Sequence, residues 1–201
     1  YKHGLPEIKI IESSNQEYRL RATARSKNGK IGFFEHGTNK LIAAEKCPVI
    51  KESLYNKMKE FAYANNLTGE IYAVENDEGL SLADIKSESI KYKSMGSFEG
   101  VCINNKKYGR SNIAFNTPYG AVQVTYKSFF QANRYLLKEF QEYAVSLVSS
   151  GLDIVELYAG AGFFTCALME KGKVEACESD QISHASTFPF SINAHVKRKS
   201  R

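Results

Sequence analysis

At 201 residues, with 43% hydrophobic side chains and no repeats or low-complexity tracts, the chain can bury the core of one large or two small domains. A net charge of +5 suits a partner that carries phosphates without demanding one. No stretch has the apolar length of a membrane span, and Lys2, His3 and Pro6 do not open a signal peptide, so a cytoplasmic location is expected; the chain is also expected to be a monomer. The four cysteines, Cys47, Cys102, Cys166 and Cys177, include no pair spaced to bind a metal, and none is expected to do so; their usage fits a reducing compartment.

The first third reads as antiparallel strands. From Tyr18 to Lys27 the residues alternate, with Arg19, Arg21, Thr23, Arg25 and Lys27 on one face and Leu20, Ala22 and Ala24 on the other. Asn28-Gly29 predicts a type I′ hairpin turn, with Lys30 to Glu35 returning and a third strand over Lys40 to Glu45 after a turn at His36-Gly37. Cys47-Pro48 opens a helix whose apolar face carries Ile50, Leu54, Met58, Phe61 and Ala62 and which ends near Asn65-Asn66. Four cations on one strand face, with no acid among them, repel one another unless something anionic neutralises them. A nucleic-acid backbone, RNA or DNA, gripped by Arg19, Arg21 and Arg25 would do so; a solvated edge strand guarded by charge is the alternative.

The middle of the chain carries fewer signals. Ile71 to Glu75, Gly100 to Ile103 and Ala121 to Tyr126 are expected strands, with turns at Asp77-Glu78-Gly79, Asn104-Asn105 and Pro118-Tyr119-Gly120. Lys91, Lys93, Lys106, Lys107 and Arg110 read as solvated surface. An aromatic pair and two amides follow in Phe129-Phe130-Gln131-Ala132-Asn133. Tyr135 to Val148 is then expected to be an amphipathic helix with Leu136, Phe140, Ala144 and Leu147 on one face.

The last third centres on Ile154-Val155-Glu156-Leu157-Tyr158-Ala159-Gly160-Ala161-Gly162, a buried strand running into a glycine loop. A helix from Thr165 to Lys171 stops at Gly172, and a second strand, Val174 to Glu178, ends on a carboxylate. Strand, glycine loop, helix, strand and acid form the first half of a nucleotide-binding α/β unit, in which the acid takes a ribose hydroxyl pair. Thr165 occupies the place of the third glycine of a dinucleotide fingerprint, which favours a ligand without a pyrophosphate, such as S-adenosylmethionine.

These residues carry a resemblance. Tyr18-Arg19-Leu20-Arg21, Gly32-Phe33-Phe34, Cys47-Pro48, Phe129 to Asn133 and Glu156 to Gly162 follow one another as in the RNA (uracil-5-)-methyltransferase family, whose members make 5-methyluridine in tRNA and ribosomal RNA. The resemblance implies a mixed α/β chain: an antiparallel β-rich, RNA-facing domain over residues 1–126, then over 127–201 the start of a Rossmann-like methyltransferase domain. It implies S-adenosylmethionine contacts at Gln131, Tyr158, Gly160, Gly162 and Glu178, with Glu178 on the ribose hydroxyls. Phe163 stands where the family often has asparagine, Pro189 is expected to kink a helix that is continuous in the family, and Asn193-Ala194 resembles that helix's end. In the family a cysteine thiolate adds to uracil C6 and a carboxylate removes the C5 proton. Both groups are expected beyond the point matching Arg201, so no catalytic residue is assigned; Cys47, matching an iron–sulfur ligand of some members, is expected to be structural. A non-catalytic RNA- or cofactor-binding remnant and a small-molecule methyltransferase are the alternatives.

Overall fold

The computed structural model describes residue 8 and residues 10–178. The expected features at Pro189 and Asn193-Ala194 lie outside them. The chain is mixed α/β, and its largest element is a seven-stranded sheet in the order β3-β2-β1-β4-β5-β6-β7. Its strands are β1 (Arg21–Lys27), β2 (Lys30–Phe34), β3 (Leu41–Ala43), β4 (Thr68–Glu75), β5 (Ser81–Ser89), β6 (Gly100–Ile103) and β7 (Lys106–Gly109). All neighbours run antiparallel except β5 and β6, which are parallel.

The β1–β2 turn is the expected one: Asn28 and Gly29 have φ of 50° and 78°, the two left-handed residues of a type I′ turn. One sheet face is covered by α1 (Glu52–Ala64), whose buried Leu54, Tyr55, Met58, Phe61 and Ala62 meet Ala22, Ala24, Ile71 and Ile85. The N-terminal end of α1 is pinned by a buried acid. Glu75, at the end of β4, binds Lys51 Nζ at 2.8 Å and Lys57 Nζ at 3.1 Å, and accepts a hydrogen bond from Ser53 Oγ.

The opposite sheet face divides in two. A hairpin of β8 (Asn112–Thr117) and β9 (Gly120–Thr125) covers one half. Its Ile113, Phe115, Val122 and Val124 close a second core over Val74, Leu82 and Cys102. The other half, bearing Arg21, Thr23, Tyr72 and Asp84, is left as a groove.

The second core also receives the C-terminal elements. A short 3-10 turn (Arg134–Leu136) leads into α2 (Leu137–Ser146), followed by β10 (Ile154–Leu157), α3 (Phe163–Leu168) and β11 (Val174–Cys177). β10 and β11 pair in parallel, Ile154 opposite Val174 and Leu157 opposite Cys177, as a nucleotide-binding unit requires. Two expectations need correction. The core side of α2 carries Leu137 and Gln141, because the Gln141 amide donates to the Phe163 carbonyl at 2.6 Å and locks the helix in that rotation. Phe140 and Leu147 instead remain 45% and 68% exposed. β10 is not a buried strand either: Val155 and Leu157 are each 65% exposed, and among the described residues β11 is its one partner.

Candidate functional site

The glycine loop alternates left-handed residues: Tyr158, Gly160 and Gly162 have φ of 61°, 60° and 83°. Gly162 caps α3, which therefore begins at Phe163, two residues earlier than the pattern predicts. Tyr158 pays a conformational penalty of about 1–2 kcal/mol for that backbone and is 84% exposed, so the loop holds its ring out into solvent. The acid at the end of β11 meets this loop. Glu178 Oε2 accepts a hydrogen bond from the Gly160 amide at 2.8 Å, while the Ala159 amide donates to the Cys177 carbonyl at 3.1 Å. Gly160, Gly162 and Glu178 are thus brought together at the carboxyl end of the two strands, where α/β units bind nucleotides.

A second carboxylate lies beneath, and the sequence reading gave it no role. Glu156 points from β10 toward α3 and accepts a 2.6 Å hydrogen bond from Thr165 Oγ1. Burial raises its pKa to about 7, and the Thr165 bond opposes that only in part. The signal was a single acid inside Ile154-Val155-Glu156-Leu157. A carboxylate raised in the folded state contributes most stability while protonated and loses it as pH climbs from about 4.5 to about 7. Glu156→Gln should flatten that loss by about 3 kcal/mol across the window, read as the difference between parent and variant in chemical denaturation at pH 5 and pH 8.

The Phe129-Phe130 pair is split between two duties. Phe130 is 1% exposed and packs on Phe115 and Phe163, with ring centres 4.2 and 5.5 Å apart, tying the hairpin core to α3. Phe129 is 53% exposed and faces outward. The Arg21 guanidinium lies 4.4 Å from its ring centre, and its carbonyl would sit 3.5 Å from a side chain placed at Gly160. Phe129 therefore connects the groove of the large sheet to the glycine loop. Gln131 turns to the other side, into an apolar groove of about 340 Å³ beside Leu136, Phe140 and Tyr143.

The arginines do not form the uncompensated basic face that the strand alone suggests. Arg25 pairs with Glu70 at 2.9 Å, and Glu70 also binds Lys86 at 3.2 Å. Asp84 draws Lys127 to 3.8 Å. The acids come from β4 and β5, so no inspection of β1 could find them. Arg19 precedes β1, is exposed, and shares a small cavity of about 200 Å³ with Arg21, Tyr72 and Ala132. Among the described residues no group of three or more His, Cys, Asp or Glu could hold a metal, and no helix is long and apolar enough to cross a membrane.

Comparison with known proteins agrees with this geometry. A tRNA/tmRNA (uracil-C(5))-methyltransferase of Nautilia profundicola is 26% identical over 94% of this chain and 61% of its own length. One of Campylobacter curvus is 24% identical over 90% and 56%. The chain resembles RNA uracil-C5 methyltransferases. An uncharacterized RNA methyltransferase of Caulobacter vibrioides is 24% identical over 87% of the chain and 48% of its own length. The chain thus spans about half to three fifths of the curated relatives it matches. The solved tRNA (uracil-54, C5)-methyltransferase of Pyrococcus abyssi, in complex with S-adenosyl-L-homocysteine, shares the fold. It superposes with a TM-score of 0.74 over 93% of this chain and 56% of that one, at 16% identity. No protein-family model matches the chain.

Proposed function

We propose that the chain is the cofactor-binding and RNA-facing part of an S-adenosylmethionine-dependent RNA methyltransferase that makes 5-methyluridine in the cytoplasm, with its two units dividing near residue 126. The observation that carries this reading is the Glu178 carboxylate held on the Gly160 amide, in a parallel β-α-β unit that Phe129 joins to the groove of the large sheet. The donor set fits that cofactor. Glu178 offers an anionic acceptor for a ribose hydroxyl pair, Gly160 and Gly162 leave the loop backbone unobstructed for the methionine end, and Tyr158 flanks it; Gln131, on the apolar groove beside Leu136 and Phe140, would have to turn to join them. When bound, S-adenosylmethionine supplies an electrophilic methyl group.

The relatives' names support uracil C5 as the acceptor, and Arg19, Arg21 and Arg25 would contribute to holding RNA. Uracil C5 becomes nucleophilic when a thiolate adds to C6. Three of the four cysteines are poor sources of that thiolate, since burial pushes Cys102 and Cys166 up toward the thiol and Cys47 packs against the first core; the fourth, the half-buried Cys177, sits on β11 next to the Glu178 carboxylate and matches no nucleophile of the family. The nucleophile and the base would come from outside the described residues.

The purified chain should therefore bind S-adenosyl-L-homocysteine in calorimetry yet transfer no labelled methyl group to unmodified tRNA. Absence of cofactor binding would remove the reading. Methylation of uridine would leave it standing and overturn the assignment of the cysteines.

A further inference from the structure

The open half of the large sheet carries a groove of about 480 Å³ that the cofactor site does not use. Its floor is polar and incompletely paired. Tyr126 is 3% exposed, and its hydroxyl has no hydrogen-bond partner among the described residues; the sealed Tyr72 hydroxyl and Arg21 Nε face each other without a well-aligned bond to any other group. Buried polar atoms are paired in the great majority of cases, so the unpaired Tyr126 hydroxyl and the under-satisfied Tyr72–Arg21 pair beside it call for an explanation. Between them, at 8% exposure, sits Asp84, opposite Tyr72 in the β4–β5 register.

Charge argues against a phosphate on this floor. Of the groove's three cations, Lys86 is bound to Glu70 at 3.2 Å, Lys127 lies 3.8 Å from Asp84 and Arg21 lies over the Phe129 ring, so an incoming anion would meet two carboxylates on the floor and one guanidinium at the mouth. The fixed groups instead suit a neutral, planar, hydrogen-bonding ligand: donors at Tyr72, Tyr126 and Arg21, an acceptor at Asp84, and the half-exposed Phe129 ring at the mouth for stacking. Lys127 is a movable cover. It spans from Asn105 Oδ1, at 2.8 Å, to an Asp84 contact too long for a hydrogen bond, and an entering ligand can displace it.

We propose that this groove is a nucleobase subsite, taking one unstacked base of the RNA by its edge through Tyr72, Asp84 and Tyr126, beside rather than at the methyl-transfer position. The assignment rests on the RNA reading above. It places that base across β1, β4 and β5, on the far side of Phe129 from the glycine loop.

The test uses the purified chain and unmodified total tRNA over a salt series, comparing the parent with the Tyr72→Phe/Tyr126→Phe double variant. The changes remove one hydroxyl that is unpaired in the free protein, on Tyr126, and one held only by a poorly aligned contact with Arg21, on Tyr72. Affinity should therefore fall by about tenfold or more, while the thermal midpoint holds or rises. The slope of log affinity against log salt should stay at the parent's value, because no phosphate contact is lost. Arg19→Gln/Arg25→Gln serves as the contrast, expected to lower that slope. Parent-like binding by the tyrosine variant would overturn the subsite while leaving the RNA reading intact. A slope that falls with the affinity would make the groove a phosphate site and overturn it equally. A parent that binds no tRNA at any salt would remove the RNA reading itself, and the subsite with it. Should the double variant unfold, Asp84→Asn reports on the same floor, with a tenfold loss expected and parent-like binding refuting it.

Discussion

Glu75→Ala is expected to destabilise the protein by about 3–5 kcal/mol, the cost of breaking a buried ion cluster by removing one side. Glu75 is fully buried and is the shared partner of Lys51 and Lys57, whose side chains are only 13% and 17% exposed. Without the carboxylate, two largely buried ammonium groups lose their shared counter-charge and keep only neutral acceptors, the Asn76 carbonyl for Lys51 and the Gly79 carbonyl and Ser81 Oγ for Lys57. The loss is large against the roughly 5–15 kcal/mol of an ordinary domain. A lower denaturant midpoint with an unchanged slope is the expected signature. Replacing Glu75, Lys51 and Lys57 together by Leu, Met and Met should recover most of the loss, since a well-packed apolar set matches a buried ion cluster. A single-variant cost below about 1 kcal/mol, in the range of a surface pair, would show that the cluster is solvated.

Much of the architecture was legible because its signals are local. Asn28-Gly29 sets its turn through backbone preference alone, the stripe from Ile50 to Ala62 is a helical period, and the Ile154 to Glu178 run is punctuated by its own glycines. The elements that were not legible are those decided by distant partners. β5 reads as Ser81-Leu82-Ala83-Asp84-Ile85-Lys86-Ser87, too polar for a central strand, yet β4 and β6 both satisfy its backbone. β8 buries Ile113 and Phe115 against a sheet face that the sequence does not announce. In α2 two apolar stripes compete, and the Gln141 amide on Phe163 selects the one that periodicity ranks lower.

The site divides along the same line. Gly160, Gly162 and Glu178 belong to one β-α-β unit, and strand pairing alone brings them together. The groove draws Arg21, Tyr72, Asp84 and Tyr126 from four strands or their ends, and no spacing in the sequence links them. Phe129 and Phe130 are adjacent and chemically identical. Only the packing of Phe130 between Phe115 and Phe163 decides which ring faces the ligand side.

Glu178→Ala is expected to weaken S-adenosyl-L-homocysteine by about 1–3 kcal/mol, roughly five- to 150-fold. Two effects add. The ribose hydroxyl pair would lose an ionised acceptor, and the Gly160 amide would lose the 2.8 Å bond that fixes the loop between β10 and α3. Glu178→Gln separates them, because its amide oxygen can still accept from Gly160 while the charge is gone. Most of the affinity should be lost in Glu178→Gln if the charge on the ribose dominates, and only in Glu178→Ala if loop anchoring does. Calorimetry with both variants measures the split, with thermal midpoints as a check that the fold survives. Affinity unchanged in both would take Glu178 out of the cofactor site, and would leave the carboxylate at the end of β11 as a brace for the glycine loop alone.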